Sequence, residues 1–164
     1  MADFAALISA MTQAACRGDG AATAACFTAD GVYHDCFYGS FTGAAIGDMI
    51  ENYFHRDAEN FIWDLHAPVD DGVTGYVRYV FSYDSKLADA AGKRAVFEGV
   101  SICRLADGLI SEYTEVAGSI TGLQQLGFDD ARLGKLLARE ASALRARPEA
   151  RHHRDPNAPQ ATSR

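Results

Sequence analysis

Apolar residues return along this chain in two rhythms, one helical and one alternating. Near the start, Phe4, Leu7, Ile8 and Met11 recur at helical spacing and stop before Gly18-Asp19-Gly20. That predicts a first helix and, with Asp19 as its cap, a second short one reaching Phe27. Residues 28–31 (Thr-Ala-Asp-Gly) read as a turn. Residues 32–37 then alternate as a short strand, with Val32, His34 and Cys36 on one side and Tyr33, Asp35 and Phe37 on the other. Gly39 and Gly43 bracket a loop. Over 43–55, Ile46, Met49, Ile50, Tyr53 and Phe54 form one helical stripe whose ordinary role is core packing.

Downstream the period drops to two. Strands are predicted over 61–69 and 75–84, joined by Asp70-Asp71-Gly72. In the second, Val77, Tyr79, Phe81 and Tyr83 alternate with Tyr76, Arg78, Val80 and Ser82, and apolar groups on both faces mark a central strand. After a polar connection at 85–93, residues 94–117 make two β-rich runs around Asp107-Gly108, a pair suited to the positive φ angles of a tight hairpin turn. Phe97, Gly99, Ser101 and Cys103 share one face, with Glu98, Val100, Ile102 and Arg104 on the other; Ser111, Tyr113 and Glu115 share a face of the returning strand. From 119 to 146, Leu123, Leu126, Phe128, Leu133, Leu136 and Leu137 lie between charges and predict one or two amphipathic helices, packed on the sheet or on a partner subunit. From Arg147 onward there is no large apolar residue and there are three of the four prolines. The reading is one domain over 1–146 and a disordered tail over 147–164, with His152 and His153 solvated.

Composition narrows the partners. A chain of 164 residues with 48% apolar content can bury one core. Its net charge of −7 argues against a phosphate backbone or an anionic bilayer, so neither nucleic acid nor membrane is expected as a partner. No run approaches the roughly 20 apolar residues of a membrane span. The start, MADFAALISAMTQAAC, lacks the basic beginning of an export signal, and Cys16, Cys26, Cys36 and Cys103 show no C-x-x-C pairing and read as reduced thiols. A cytoplasmic location is the expectation. His34, His55 and His66 are scattered and no Gly-rich phosphate loop is present, so the reading includes neither metal nor organic cofactor. His34 is expected beneath a helix, His55 at the C-terminal dipole of its own helix, Asp64 and His66 at a pocket mouth or in water, and Arg78 and Arg104 in outward salt bridges.

Helix, short helix, strand, helix and four strands make an α+β fold with a mainly antiparallel sheet. This order, the strings CFTADGVYHDCFYGSFTGAAI and RAVFEGVSICRLADGLISEYTEV, and the spacing between them resemble the nuclear-transport-factor-2-like fold, a cone-shaped curved antiparallel sheet wrapped by helices around an internal pocket. Within that fold the chain resembles the SnoaL-like polyketide cyclases and their relatives, over residues 4 to about 118. Asp35 stands where the similar ketosteroid isomerases keep a proton-abstracting aspartate, but Met11 and Ser101 occupy the places of their hydrogen-bond donors. The SnoaL-like resemblance implies an acid/base role for Glu115 in the last strand, with Tyr113 replacing a histidine beside it. Limonene-epoxide-hydrolase relatives need an arginine and an aspartate where this chain has Gly99 and Ser101, which argues against that chemistry.

The site expected from these readings is one pocket in which Asp35 and Glu115 meet, walled by Tyr33, Trp63, Tyr79, Phe81 and Phe97. Burial there raises a carboxyl pKa, and two neighbouring carboxyls push their titrations apart, leaving one as base and the other as donor. Tyr113, Tyr79 or Ser101 would hydrogen-bond a developing enolate oxygen. Such a set enolises a carbonyl, closes a ring by aldol chemistry or eliminates water without a cofactor. The expectation is an isomerase, cyclase or dehydratase acting on a small apolar carbonyl or polyketide-like compound. The alternative is a non-catalytic module that binds a small hydrophobic ligand or dimerises. An open cavity favours the first and a cavity filled by its own aromatic rings the second. A homodimer through the exposed sheet face is expected in either case.

Overall fold

A computed structural model describes residues 3–160. Two compact units divide at Leu126 and Gly127.

The first unit opens with α1 (Phe4–Arg17), whose N-terminus is capped by the Asp3 carboxylate accepting from the Ala5 N–H and which ends at Gly18 in the left-handed conformation. Asp19 caps α2 (Gly20–Ala24) through the Ala22 N–H, as its position predicts, but the helix stops short of Phe27. That residue already begins β1 (Phe27–Asp35). The stretch 28–31 is an irregularity within the strand, where its register against the neighbouring strand shifts between Phe27 and Val32. The loop expected between Gly39 and Gly43 contains a short edge strand, β2 (Gly39–Thr42). The helical stripe continues through α3 (Ala45–Met49), a π-helical turn (Ile50–Phe54) and α4 (His55–Asp57).

Four longer strands follow: β3 (Ala58–Asp70), β4 (Thr74–Ser85), β5 (Arg94–Ala106) and β6 (Leu109–Ala117). The six-stranded curved sheet has the order β2-β1-β6-β5-β4-β3, antiparallel except where β1 lies parallel to β6. Asp107 (φ 52°) and Gly108 (φ 77°) make the predicted hairpin turn, which sets Ser101 opposite Glu115 and Cys103 opposite Tyr113. On the inner face Phe4, Ile8 and Met11 of α1 pack with Ile46, Met49, Ile50, Tyr33 and Tyr113 in one buried cluster. Each such large side chain contributes about 1.5–3 kcal/mol by leaving water. The strand end opposite the turn is closed by α5 (Ser119–Gln125), whose Gln125 amide bridges the backbone N–H and carbonyl of Val96.

Two histidines take other places than the sequence suggests. His34 is not under a helix: it faces outward, bonded to Ser40 Oγ at 2.7 Å and Glu112 Oε1 at 3.1 Å, because Tyr33 and Asp35 take the inward positions of β1. His55 Nε2 reaches the Ala15 carbonyl at 2.8 Å and so caps the C-terminus of α1 rather than its own helix. Asp64 and His66 are exposed to solvent. Arg78 pairs outward with Glu98 at 2.6 Å, and Arg104 reaches Thr74 Oγ1 at 3.3 Å.

In the second unit Asp129 caps α6 (Asp130–Ala146) through the Arg132 N–H. Leu133 is buried, and Leu137 and Leu144 are exposed. Within the stretch read from sequence as disordered, a 3₁₀ turn (Pro148–Ala150) and α7 (Arg151–Arg154) close on local bonds such as His152 Nδ1 to the Ala158 carbonyl at 2.8 Å. Residues 161–164, the end of that predicted tail, lie outside the described residues.

Candidate functional site

Inward-facing side chains of β1, β3, β4, β5 and β6 surround a cavity of about 20 Å³. Its lining is Tyr33 and Asp35 of β1, Cys36 and Phe37 just beyond it, Phe54 of the π turn, Trp63 of β3, Tyr79 and Phe81 of β4, Phe97 of β5 and Glu115 of β6. Asp35 and Glu115 do meet there, among the aromatic walls expected for them.

The two carboxylates are held differently. Asp35 Oδ1 accepts the backbone N–H groups of Phe37 at 2.8 Å and Tyr38 at 2.9 Å. Burial pushes its pKa up and these two amides pull it back, with a net rise. Glu115 Oε2 accepts the Tyr79 hydroxyl at 2.5 Å and lies 3.5 Å from the Tyr113 hydroxyl, and the carboxylate is also bonded by the thiol and backbone N–H of Cys36. Burial, then the nearby charge of Asp35, drives the Glu115 pKa up to about 7 against the opposing pull of Tyr79 and Cys36. Burial foremost, with the charges of Glu115 and Asp35 added, holds the Cys36 thiol well above its ordinary range, so it remains a protonated donor.

Tyr79 reaches Glu115 only because Gly99 lies between. Tyr79 and Gly99 are register partners on β4 and β5, and a Cβ at position 99 would stand 2.5 Å from the Tyr79 hydroxyl oxygen and 2.8 Å from the Val116 carbonyl oxygen. The absence of a side chain is what lets the phenol cross β5. The sequence marks Gly99 only as a missing arginine.

Tyr113 and Ser101 stand behind Glu115 rather than in the cavity lining. Both are fully buried, their hydroxyls 2.8 Å apart, with the Tyr113 ring stacked on Tyr33 at 4.4 Å. They brace the carboxylate and have no face toward a ligand. Trp63 lines the cavity edge-on to Phe81 and Tyr79, and its Nε1 is the side-chain atom that is buried without a hydrogen-bond partner among the described residues. A buried N–H left unpaired is costly, and the residue that carries it lines the cavity.

Cys36, Phe37 and Phe54 belong to the site without having been singled out for it. Simple alternation puts Cys36 opposite Asp35, but the strand ends at Asp35 and the chain turns inward. Phe54 carries the helical period and reads as core; the π turn presents it to the cavity. Among the described residues no group of three or more His, Cys, Asp or Glu side chains could hold a metal ion, and no helix is long and apolar enough to cross a membrane.

Comparison with solved structures places this architecture. The chain is similar to TsrD from Streptomyces laurentii, with TM-score 0.63, 20% identity and coverage of 76% of this chain and 97% of that one. It is also similar to a hypothetical protein of ketosteroid isomerase-like fold from Catenulispora acidiphila, solved in complex with trimethylamine, with TM-score 0.66, 18% identity and coverage of 75% and 93%. IdmH, a candidate polyketide cyclase from Streptomyces antibioticus, matches with TM-score 0.61, 18% identity and coverage of 76% and 98%. At these identities the likeness establishes the nuclear-transport-factor-2-like fold and leaves the reaction open. No curated protein matches by sequence. A family model for the SnoaL-like domain matches residues 8–113, from the first helix to the tyrosine behind Glu115, and the chain belongs to that family.

Proposed function

We propose that the protein is a cofactor-independent acid/base enzyme of isomerase, cyclase or dehydratase type, acting on a small apolar carbonyl or polyketide-like compound, with Glu115 as its proton carrier. The observation that carries this reading is the Glu115 carboxyl itself, buried in an aromatic cavity and brought to about 7. At neutral pH such a group exists in both forms and can take a proton as readily as give one. With a substrate carbonyl oxygen on the Trp63 N–H, Glu115 removes a proton from the adjacent carbon. The electron pair of the broken C–H bond becomes the enolate double bond, and charge moves to the oxygen facing the indole. Protonated Glu115 then returns the proton to another carbon (isomerisation), to a carbonyl oxygen attacked by the enolate carbon (ring closure), or to a departing hydroxyl (dehydration). Asp35 serves by its charge, which helps keep the Glu115 proton available. Tyr79 and Cys36 fix the carboxylate in place from one side, Tyr113 and Ser101 from behind.

The test is deuterium incorporation from heavy water into a panel of cyclic ketones and 1,3-dicarbonyl compounds near pH 7.5, followed by NMR. Saturable exchange by the wild type that is lost in Glu115→Gln supports the reading, and exchange unchanged in that variant overturns it.

One observation favours the second reading, a non-catalytic binding module. A cavity of about 20 Å³ has room for about one water molecule. Saturable binding of the same compounds without exchange would decide for that alternative. For either reading we propose a homodimer through the outer sheet face, where Ile62, Tyr76, Val96, Val100 and Val116 are exposed. Val100→Asp should then leave a monomer in analytical ultracentrifugation.

A further inference from the structure

Any organic ligand of this cavity has to move part of its wall, since about 20 Å³ admits no more than water. The wall is not uniformly held. Tyr33, Trp63, Tyr79, Phe81, Phe97 and Glu115 sit on strands laddered to their neighbours, so the backbone that carries them is held by hydrogen bonds along its length. Cys36 and Phe37 sit instead in the three-residue loop 36–38, beyond Asp35 opposite Gly39, the last register pair of β1 and β2. Both line the cavity and both are partly exposed, so the loop has the cavity on one side and solvent on the other. Phe37 closes it by resting edge-on against Phe97 at 6.2 Å.

Besides the Glu115 carboxylate, which accepts from the thiol and backbone N–H of Cys36, two side-chain ties hold that loop. One is the Tyr38 hydroxyl, which donates to Asp57 Oδ2 at 3.0 Å and lies 3.4 Å from the Tyr53 carbonyl. The other is Asp35, whose Oδ1 takes the N–H groups of both Phe37 and Tyr38. Asp35 faces the cavity as well. We propose that Cys36, Phe37 and Tyr38 are the lid of the cavity and that Asp35 is its latch, a positioning residue that holds the lid closed and lets it go when a ligand's donor competes for the same carboxylate. Ligand recognition and lid release are then one event at one side chain. This deepens the reading given above in that it requires the cavity to take a ligand, but it requires no reaction there.

The Cys36 thiol reports the lid directly, being the lid's own cavity-facing group bonded to Glu115. Its alkylation by N-ethylmaleimide, assigned by peptide mass spectrometry, is to be followed in full-length Asp35→Ala and Asp35→Asn, with Cys103 as internal control because it is fully buried. Both substitutions remove the Asp35 charge and leave that of Glu115, so their difference isolates the latch. Asparagine keeps an acceptor oxygen on the same stem and alanine does not. We expect Cys36 to react about tenfold faster in the alanine variant than in the asparagine variant, with Cys103 unreactive in both. Tyr38→Phe, which frees the other tie but keeps the Asp35 charge, should raise Cys36 reactivity over wild type severalfold. Equal Cys36 rates in the two Asp35 variants, or Cys103 reacting in step with Cys36, would overturn the proposal. Absent deuterium exchange by the wild type removes the catalytic reading and leaves this comparison intact, whereas equal labelling removes the latch and leaves catalysis intact.

Discussion

β1 and β6 run side by side and carry an acid-bearing pair on each face. On the outer face His34 and Glu112 meet at 3.1 Å, with 40% and 49% of their side chains exposed. On the inner face Asp35 and Glu115 meet in the cavity among aromatic rings. One step along β1, from 34 to 35, and three along β6, from 112 to 115, separate the two settings. Outside, water solvates the carboxylate, and an exposed contact of this kind contributes about 0–1 kcal/mol. Inside, burial first and then the like charge of Asp35, with no cation in the lining, move the glutamate to about 7. Strand parity alone converts a surface glutamate into a group that exchanges protons at neutral pH.

The comparison breaks most visibly at Glu115→Gln. The amide keeps the shape and can still accept the Tyr79 hydroxyl, but it cannot carry a proton. We expect the deuterium-exchange rate to fall by about 10²–10⁴, the usual contribution of a positioned acid/base group. A far-UV circular dichroism spectrum like that of the wild type would show that the fold survives. Exchange within a few-fold of wild type would leave the inner pair with no catalytic claim.

The same residue makes stability depend on pH. Its pKa is about 7 in the fold against an ordinary 4.5, so between those values the folded protein binds the proton more tightly than the unfolded chain does. Below 4.5 the group is protonated in both states and adds no charge penalty; the penalty grows as pH rises through the window and is complete above 7, at about 3 kcal/mol. Asp35, raised from 3.8, acts in the same direction from a lower start. Asp57, lowered chiefly by its hydrogen bond to Arg56, works oppositely: its stabilisation is present above 3.8 and is lost as pH falls through its folded pKa. Urea unfolding at pH 5 and pH 8 should therefore find the wild type weaker at pH 8, with the drop largely absent in Glu115→Gln. Equal pH dependence in the two proteins would mean that the fold does not raise the Glu115 pKa.

How much of this inner face is legible in the chain varies with the kind of cause. The β5–β6 hairpin is legible because alternation and Asp107-Gly108 agree, and that agreement puts Ser101 opposite Glu115. Asp35 and the rings of β4 and β5 follow from parity in the same way. The edge strand β2 is not legible, since Gly-Ser-Phe-Thr is short and mostly exposed and so leaves no alternation to read. Cys36 is missed because parity is extrapolated one residue past the strand's end. The partner of His55 lies 40 residues away, a separation no local pattern records. Most instructive is Gly99: the sequence shows an empty position on an inward face, and only the register with Tyr79 shows that the emptiness is occupied by a neighbour's hydroxyl.

Tyr79 offers a sharper cut within the inner pair. Its hydrogen bond stabilises the Glu115 carboxylate and so lowers the pKa of that group. In Tyr79→Phe the Glu115 pKa should rise further, and the pH midpoint of deuterium exchange should move upward. Losing one charge-assisted bond predicts a rate about tenfold lower at pH 7.5. Gly99→Ala should reproduce the shift by crowding the same hydroxyl out of reach. An unmoved midpoint in both variants would show that Tyr79 packs there without tuning the carboxylate.

The smallest expected effect is the control on the outer face. Glu112→Gln removes the charge from an exposed pair in which His34 keeps its bond to Ser40 and can still find the glutamine oxygen. Its unfolding free energy at pH 8 should change by less than about 1 kcal/mol, and the change should shrink further in molar salt. At the same pH, Glu115→Gln should gain stability by up to about 3 kcal/mol, since it replaces a charge that burial penalises with a neutral group. Two identical chemical changes on one strand thus separate in both measurements: Glu115→Gln gains stability and loses exchange, while Glu112→Gln leaves both nearly where they were. If Glu112→Gln instead costs more than about 2 kcal/mol, the outer pair is not the screened surface contact its exposure describes, and parity has not divided the two faces as argued.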